Sequence, residues 1–273
     1  MYVNSKTKCK SSVSRLRSTD GSLTSNDLET AEELNRFFQS VYVHEDDKDL
    51  LYFNDFVHCV FDKCAPEPFN YVGVPVNIFV DDVYFTPVDV KNLIGAINVN
   101  KAMGPDEIHP RVLKESVEQI YFPLYCIMRQ SIDEGVLPDI WKVAHVTPIF
   151  KKGNEMLTEN YRPVSLTSQV CKLCEKIIRQ RIVDFLECNN VLCDQQHGFR
   201  KARSCLTNLL CTLEEWTKLH DEGKPFDVLY LDFRQAFDSV PHVRLSYKLY
   251  KIGIRGKINV WIEDFLRSRK QTV

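Results

Sequence analysis

The 273-residue sequence lacks an apolar run long enough to cross a lipid bilayer. A membrane-spanning helix needs about 20 consecutive apolar residues, and the most apolar stretch, from Ile120 to Met128, is short and contains Pro123. No secretory leader opens the sequence, and its 10 cysteines are scattered, which disfavours a disulfide-rich secreted scaffold. We therefore expect an intracellular protein, cytoplasmic or nuclear, that keeps its thiols reduced and has no membrane partner.

A large surplus of charge of either sign is also missing, because the net charge is only -2. Residues 1–100 hold 9 Lys and Arg against 15 Asp and Glu, whereas residues 101–273 hold 26 against 22. This slightly basic second part permits a polyanionic partner such as nucleic acid without requiring one. With 44% hydrophobic and 26% charged residues, the composition is that of an ordinary globular protein with a sizeable core.

The spacing of apolar residues predicts an α+β fold in which helices predominate. Residues 141–150 and 161–166 are predicted to pair as a hairpin around the turn at 151–154, and the first two dozen residues to form a linker or extended arm without a stable fold. Helices are predicted from Asp27, from Pro87, over 110–130 with a break at Pro123, and over 169–186, 204–220, 243–250 and 258–266.

Residues 226–233 form a continuous apolar run that predicts a buried central strand. Asp232 would then stand at the carboxyl end of a core strand, where a buried carboxylate needs a cation or hydrogen-bond donors. Two roles are open for it. It binds a divalent cation such as magnesium, which polymerase chemistry uses in pairs, or it caps the following helix.

The sequence around Asp232, YLDFRQAFDSVPH over residues 230–242, resembles the first catalytic motif of the reverse transcriptases of non-LTR retrotransposons, the LINE group that includes jockey. By this resemblance Asp232 binds the catalytic metals, which are two magnesium ions in the complete family site. The carbonyl of Phe233 also faces metal, and Phe237 screens the sugar 2′ position of the nucleotide.

Two upstream stretches, IFKKGN from residue 149 and NYRPVSL from residue 160, resemble the fingers hairpin of the same family. The resemblance implies that Lys151 and Arg162 bind the nucleotide triphosphate, with Lys152 as a substitute for Lys151. A point-charge lysine and a forked arginine suit this task because they neutralise and align phosphate oxygens. Without the resemblance, two basic residues around a turn are ordinary solvated charges.

A third motif, DQQHGFRKARS over residues 194–204, resembles the family segment that lies along the template. Gly198 allows a close backbone approach, and the basic residues can meet phosphates. Ala202 stands where glycine is usual, so a positive φ there would be strained. The template-binding residues implied by the resemblance are Gln196, Gly198, Arg200 and Arg203.

The spacing of Cys171 and Cys174, followed by Cys188 and Cys193, raises the alternative of a zinc site. A zinc ribbon places each cysteine pair on a tight turn, whereas the first pair lies inside a predicted helix. We therefore expect these thiols to serve packing.

The resemblance implies two parts: residues 1–85 as an upstream linker with a helical extension, and residues 86–273 as a partial reverse transcriptase domain. The second part would comprise helix-rich fingers and the first strand of a right-hand polymerase palm, truncated there. No aromatic-Ala-Asp-Asp motif follows Asp232 in this sequence. Glu263 and Asp264, the acidic residues of the stretch 243–273, are predicted to face solvent.

We therefore expect an RNA-directed DNA polymerase fragment that is inactive on its own, because one carboxylate cannot complete a two-metal site. The partners implied by the resemblance are an RNA template, a DNA primer and deoxynucleoside triphosphates. The alternative is a non-catalytic nucleic-acid-binding remnant of a mobile element.

Overall fold

The computed structural model describes residues 13–18, 21–43, 78–233 and 235–273, and these form a mixed helix and sheet fold. The α-helices are α1 (Asp27–Ser40), α2 (Pro87–Gly95), α3 (Pro110–Glu115), α4 (Val117–Glu134), α5 (Gln169–Cys188), α6 (Cys205–Asp221), α7 (His242–Lys251) and α8 (Gly256–Leu266). The strands are β1 (Val143–Phe150), β2 (Tyr161–Leu166) and β3 (Lys270–Thr272), and short 3-10 turns cover Asp139–Lys142 and Thr158–Asn160. None of these helices is long and apolar enough to span a bilayer.

The sheet has the order β2-β1-β3, so β1 is its central strand. Strands β1 and β2 are antiparallel, with Phe150 opposite Tyr161, and this confirms the predicted hairpin. Strand β3 pairs with β1 in parallel, with Lys270 opposite Val143. Since β3 is only three residues long, its sequence has no alternation of apolar and polar residues from which a strand could be predicted.

The larger core lies between α2, α4, α5 and α8. The segment before α2 belongs to it, because Val80 is buried and exchanges backbone hydrogen bonds with Gly253 and Arg255, at 2.8 and 2.9 Å. The larger core therefore includes residues on both sides of residue 85. Fully buried members of this core include Val90, Ile94, Met128, Ile132, Cys171, Ile254 and Ile258.

A smaller core joins the N-terminal segment and α1 to the hairpin. Leu16 is completely buried there, beside Leu34 and Phe38 of α1 and Tyr161 of β2. The prediction that the first two dozen residues have no stable fold is therefore wrong for residues 13–18 and 21–24. A single leucine without periodic apolar neighbours gives no helix or strand signal, and its partners are distant in sequence.

Helix α4 continues through Pro123, and the interruption that we predicted there occurs at Ser116 instead. A proline inside a helix costs about 3 kcal/mol because it removes one hydrogen bond and crowds the preceding turn. Ile120 and Leu124 pack against the larger core on either side of Pro123. We attribute the continuity of α4 to this burial, which offsets the cost.

Residues 226–233 form no strand, so the predicted buried central strand is wrong. Leu229, Tyr230 and Leu231 are 80–81% exposed, and Asp232 is exposed as well. An apolar run becomes a strand only where neighbouring strands pair with its backbone N–H and C=O groups. Strands β1, β2 and β3 pair with one another instead, so the described part of the chain gives this run no partner.

Candidate nucleic-acid interface

The exposed face of the β1–β2 hairpin presents two cations. Arg162 lies directly opposite Ile149, and the backbone N–H of Lys151 donates to the carbonyl of Asn160 at 2.8 Å. Because alternate residues of a strand share a face, Lys151 and Arg162 are diagonal neighbours on one side of the hairpin. Both are exposed, as is Lys152 in the turn, and none of them forms an ion pair with a described residue.

The opposite face of the hairpin is braced by the N-terminal segment. The rings of Phe150 and Tyr161 lie 5.6 Å apart there, and the Tyr161 hydroxyl donates to the carbonyl of Glu155 at 2.8 Å. The Ser14 hydroxyl donates to the same carbonyl at 3.1 Å, and the N–H of Arg17 donates to Met156 at 2.8 Å. These bonds fix the turn that carries Lys151 and Lys152.

The base of the hairpin is packed against the turn at residues 101–104. The side-chain amide of Gln169, at the start of α5, donates to the carbonyl of Ala102 at 3.0 Å. Gly104 lies so close that a Cβ there would stand 2.6 Å from the backbone of Thr167. Only glycine allows this approach, which sets where α5 starts relative to β2.

The segment that resembles the template side follows α5, and we call residues 189–204 the template-side loop. The Arg200 guanidinium forms a two-pronged ion pair with Glu187, at 2.9 and 2.7 Å, and donates to the carbonyl of Cys193 at 2.8 Å. The pair lowers the pKa of the Glu187 carboxyl and raises that of Arg200. Only 12% of the Arg200 side chain is exposed, so its hydrogen bonds point into the protein.

The rest of the template-side loop is held in the same way. Arg203 donates to both the carbonyl and the carboxylate of Asp194, at 2.7 and 3.0 Å. His197 is buried, with Nδ1 2.8 Å from the Thr207 hydroxyl of α6. Lys201 is exposed and has no ion-pair partner among the residues that the structure describes.

Three residues of the template-side loop other than glycine adopt a left-handed backbone conformation, and the first is Asn190, with φ of +53°. Ala202 has φ of +59° and Phe199 has φ of +62°. The positive φ at Ala202 is the conformation whose strain we noted from the sequence. Gly198, by contrast, is not in this region, and its neighbourhood is open apart from the side chain of Gln196, which donates to its carbonyl at 3.1 Å.

The Phe199 ring connects the template-side loop to the segment after Asp232. It meets the Phe237 ring edge to face, with centroids 6.1 Å apart and planes at 87°. Both rings are largely exposed, at 78% and 79%. The structure thus brings Phe199 and Phe237 together, whereas no hydrogen bond or ion pair between described residues joins Lys151 or Arg162 to Asp232.

The Asp232 carboxylate and the Phe233 carbonyl are hard oxygen donors of the kind that magnesium prefers. Among the described residues, however, no group of three or more His, Cys, Asp or Glu side chains gathers that could hold a metal ion. These two donors therefore match magnesium in the type of donor atom.

Asp264 was predicted to face solvent, and this prediction is wrong. Its carboxylate accepts a hydrogen bond from the backbone N–H of Leu137 and one from Lys142 Nζ, each at 2.7 Å. Burial opposes ionisation, but these two donors outweigh it and hold the pKa of Asp264 below its ordinary value. The partners lie more than 120 residues away, so helical spacing around Asp264 gives no sign of them.

Cys171 and Cys174 pack within the larger core on α5, as expected. Burial raises the pKa of Cys174 to about 12 and raises that of Cys171 as well. Both thiols therefore stay protonated at neutral pH.

Residues 149–273 match the family model described as reverse transcriptase (RNA-dependent DNA polymerase). By this match we call residues 149–273 the reverse transcriptase segment. The segment contains most of the hairpin, the template-side loop and Asp232.

The segment is similar to RNA-directed DNA polymerases of insect transposons and mobile elements, which confirms the resemblance. The probable RNA-directed DNA polymerase from transposon X-element of Drosophila melanogaster is 30% identical over 166 residues, 60% of this chain and 18% of the relative. The RNA-directed DNA polymerase from mobile element jockey of the same fly is 29% identical over 202 residues, 73% of this chain and 22% of the relative.

A more distant relative is the Retrovirus-related Pol polyprotein from type-1 retrotransposable element R2 of Popillia japonica. It is 27% identical over 139 residues, which cover 51% of this chain and 19% of the relative. This chain thus spans about a fifth of the length of the curated relatives that it matches.

Sequence reasoning missed the contacts that shape the template-side loop. The sequence does give a sign of the Glu187 contact, because an acidic residue near the end of a helix precedes a basic segment. Phe199 carried none beyond its place in the motif, since a positive φ at a phenylalanine is rare and cannot be read from composition.

Proposed function

We propose that this chain supplies the fingers and the first catalytic segment of an RNA-directed DNA polymerase, which extends a DNA primer on an RNA template with deoxynucleoside triphosphates. The observation that carries the proposal is the exposed hairpin face, where Lys151 and Arg162 lie side by side without ion-pair partners among the described residues. Unpaired cations fixed on a braced hairpin suit a ligand with several negative charges.

In this proposal Lys151 and Arg162 bind the triphosphate, and Lys152 substitutes for Lys151. Phe237 screens the sugar 2′ position. Asp232 and the carbonyl of Phe233 hold magnesium, which when bound stabilises the charge that develops on the phosphate oxygens. The carboxylate of Asp232 is exposed and so is accessible to such a ligand.

The template is proposed to run along the template-side loop, at Gln196 and Gly198. Arg200 and Arg203 are proposed to act mainly by holding the loop, because their donors are engaged by Glu187 and Asp194. Lys201 is then the residue of this loop that is free to meet a phosphate.

A second candidate function is nucleic-acid binding without catalysis. It is favoured by one observation: in the described residues Asp232 is not joined by other carboxylates in a metal-binding cluster. We accordingly expect the 273-residue chain alone to incorporate no labelled nucleotide on a primed RNA template. Incorporation that disappears in Asp232→Ala would contradict this expectation.

Nucleotide binding tests the proposed hairpin site directly. The affinity of the chain for a fluorescent deoxynucleoside triphosphate should fall about 10-fold in Lys151→Ala and in Arg162→Ala, because each removes a charge-assisted contact worth about 1.5 kcal/mol or more. Arg111→Ala, an exposed arginine on α3, is the matched control and should leave the affinity unchanged. Equal affinity in all four proteins would refute the nucleotide site.

A further inference from the structure

We propose that Phe199 is a base-stacking residue, displayed by the template-side loop to receive an unpaired base of a single-stranded nucleic acid. This inference rests on the proposed function, which places a nucleic-acid strand at this loop. It adds a residue, and a kind of contact, to the basic and glycine residues already considered there.

The first observation is the exposure of the ring. Phenylalanine is among the residues most often buried, yet Phe199 is 78% exposed, and its neighbour Phe237 is 79% exposed. A ring this exposed contributes little to the core, so packing within the described residues does not explain its position.

The second observation is the backbone strain at Phe199. A φ of +62° costs a residue with a Cβ roughly 1–2 kcal/mol. Such strain persists where the surrounding structure imposes it, and it concentrates at binding and catalytic sites. A residue that is both strained and exposed does not stabilise the folded state, and this favours a role in binding.

The third observation is the set of contacts that imposes this conformation. His197, two residues before Phe199, is buried against Thr207. Arg200, the next residue, is held by Glu187 on α5. Both anchors flank Phe199 without using its ring, so the loop keeps its shape whatever the ring contacts. The ring is thereby pre-organised, which reduces the entropy lost on binding.

The chemistry around the ring favours a nucleic-acid strand as the occupant. Lys201, two residues along, is an exposed cation, and single strands are bound by aromatic rings interleaved with cations. The edge-to-face contact with Phe237 occupies the face of only one ring of the pair, which leaves ring surface open for a base. Stacking of one base on an aromatic side chain contributes about 1–3 kcal/mol.

The test is the affinity of the whole chain for a single-stranded RNA oligonucleotide, measured by fluorescence anisotropy at several salt concentrations. Phe199→Leu keeps an apolar side chain but cannot stack, so its affinity should fall about 5- to 100-fold. The salt dependence should stay the same, because no phosphate contact is lost. Phe199→Trp should retain the affinity. Tyr84→Ala, which removes an 86% exposed ring outside this loop, is the control and should change nothing.

Each other outcome has a definite meaning. Unchanged affinity in Phe199→Leu, with a loss of affinity and of salt slope in Lys201→Ala, overturns the stacking inference and leaves the proposed function standing. No RNA binding by the unsubstituted chain overturns both. If Phe199→Leu abolishes self-association in sedimentation experiments and leaves RNA affinity unchanged, the ring is a protein contact and the inference is wrong.

Discussion

Ala202 adopts a backbone conformation that is unfavourable for alanine. Its φ of +59° costs roughly 1–2 kcal/mol for a side chain with a Cβ, whereas glycine costs about 0.4–1 kcal/mol through the unfolded chain. Ala202→Gly should therefore raise the free energy of unfolding by up to about 1 kcal/mol in urea denaturation. Ala96→Gly, at the C-cap of α2 with a φ of -83°, is the control and should lower it by about 0.4–1 kcal/mol. An equal loss at both positions would show that Ala202 is not strained.

The orientation of other side chains depends on contact partners that the local sequence pattern does not reveal. The motif around residue 198 predicted a basic loop, and Arg200 was expected to contact a phosphate. Within the chain Arg200 pairs with Glu187, which lies on the preceding helix. Charge type could be read from the sequence, but the direction in which each charge points required the fold.

At the scale of elements, helices were predictable because their own apolar spacing encodes them. Helix α5 was expected over 169–186 and runs over Gln169–Cys188, and the hairpin was expected from its turn and strand residues. The run at 226–233 failed because a strand is stabilised by its neighbours. The same eight residues pair with none of the strands described here, so apolar content alone misled the prediction.

Gly104 provides a test of how two elements are joined. In Gly104→Ala the new Cβ would stand 2.6 Å from the Thr167 backbone, so the turn and the start of α5 must separate. Such overpacking costs about 1–3 kcal/mol, to be measured as a lower free energy of unfolding in urea. Gly95→Ala, at the end of α2, meets nothing within 4 Å and should be neutral or stabilising by up to about 1 kcal/mol. Equal effects of the two substitutions would contradict the close approach at Gly104.

The described residues pack into two cores, of which the smaller one supports the hairpin. Leu16 is fully buried in it, and truncating a buried leucine costs about 2–5 kcal/mol. Leu16→Ala should therefore speed amide hydrogen exchange at Val146 and Tyr161 while α5 keeps its protection. Leu28→Ala, a 69% exposed leucine on α1, should leave the exchange of the hairpin unchanged. Equally faster exchange in both cores would mean that the stabilising effect of Leu16 is not confined to the hairpin.

Asp264 ties α8 to Leu137 and Lys142, which lie just before β1, and this tie should depend on pH. The folded-state pKa of Asp264 lies below its ordinary value, because Lys142 and the Leu137 N–H outweigh burial. Its stabilising effect is therefore fully present above the unfolded-state pKa of about 3.9 and is lost as the pH falls through the folded-state pKa. Asp264→Asn should lower the free energy of unfolding at pH 7 by about 1–3 kcal/mol.

The measurement is urea unfolding of both proteins between pH 7 and pH 2.5. The difference between them should shrink below about pH 4, since the unsubstituted chain then loses the same charge. Glu115→Gln, at an exposed acid on α3, is the control and should stay within about 0.5 kcal/mol of the unsubstituted chain. A difference for Asp264→Asn that stays constant to pH 2.5 would mean that the shape of the side chain, and not its charge, holds α8 to the start of β1.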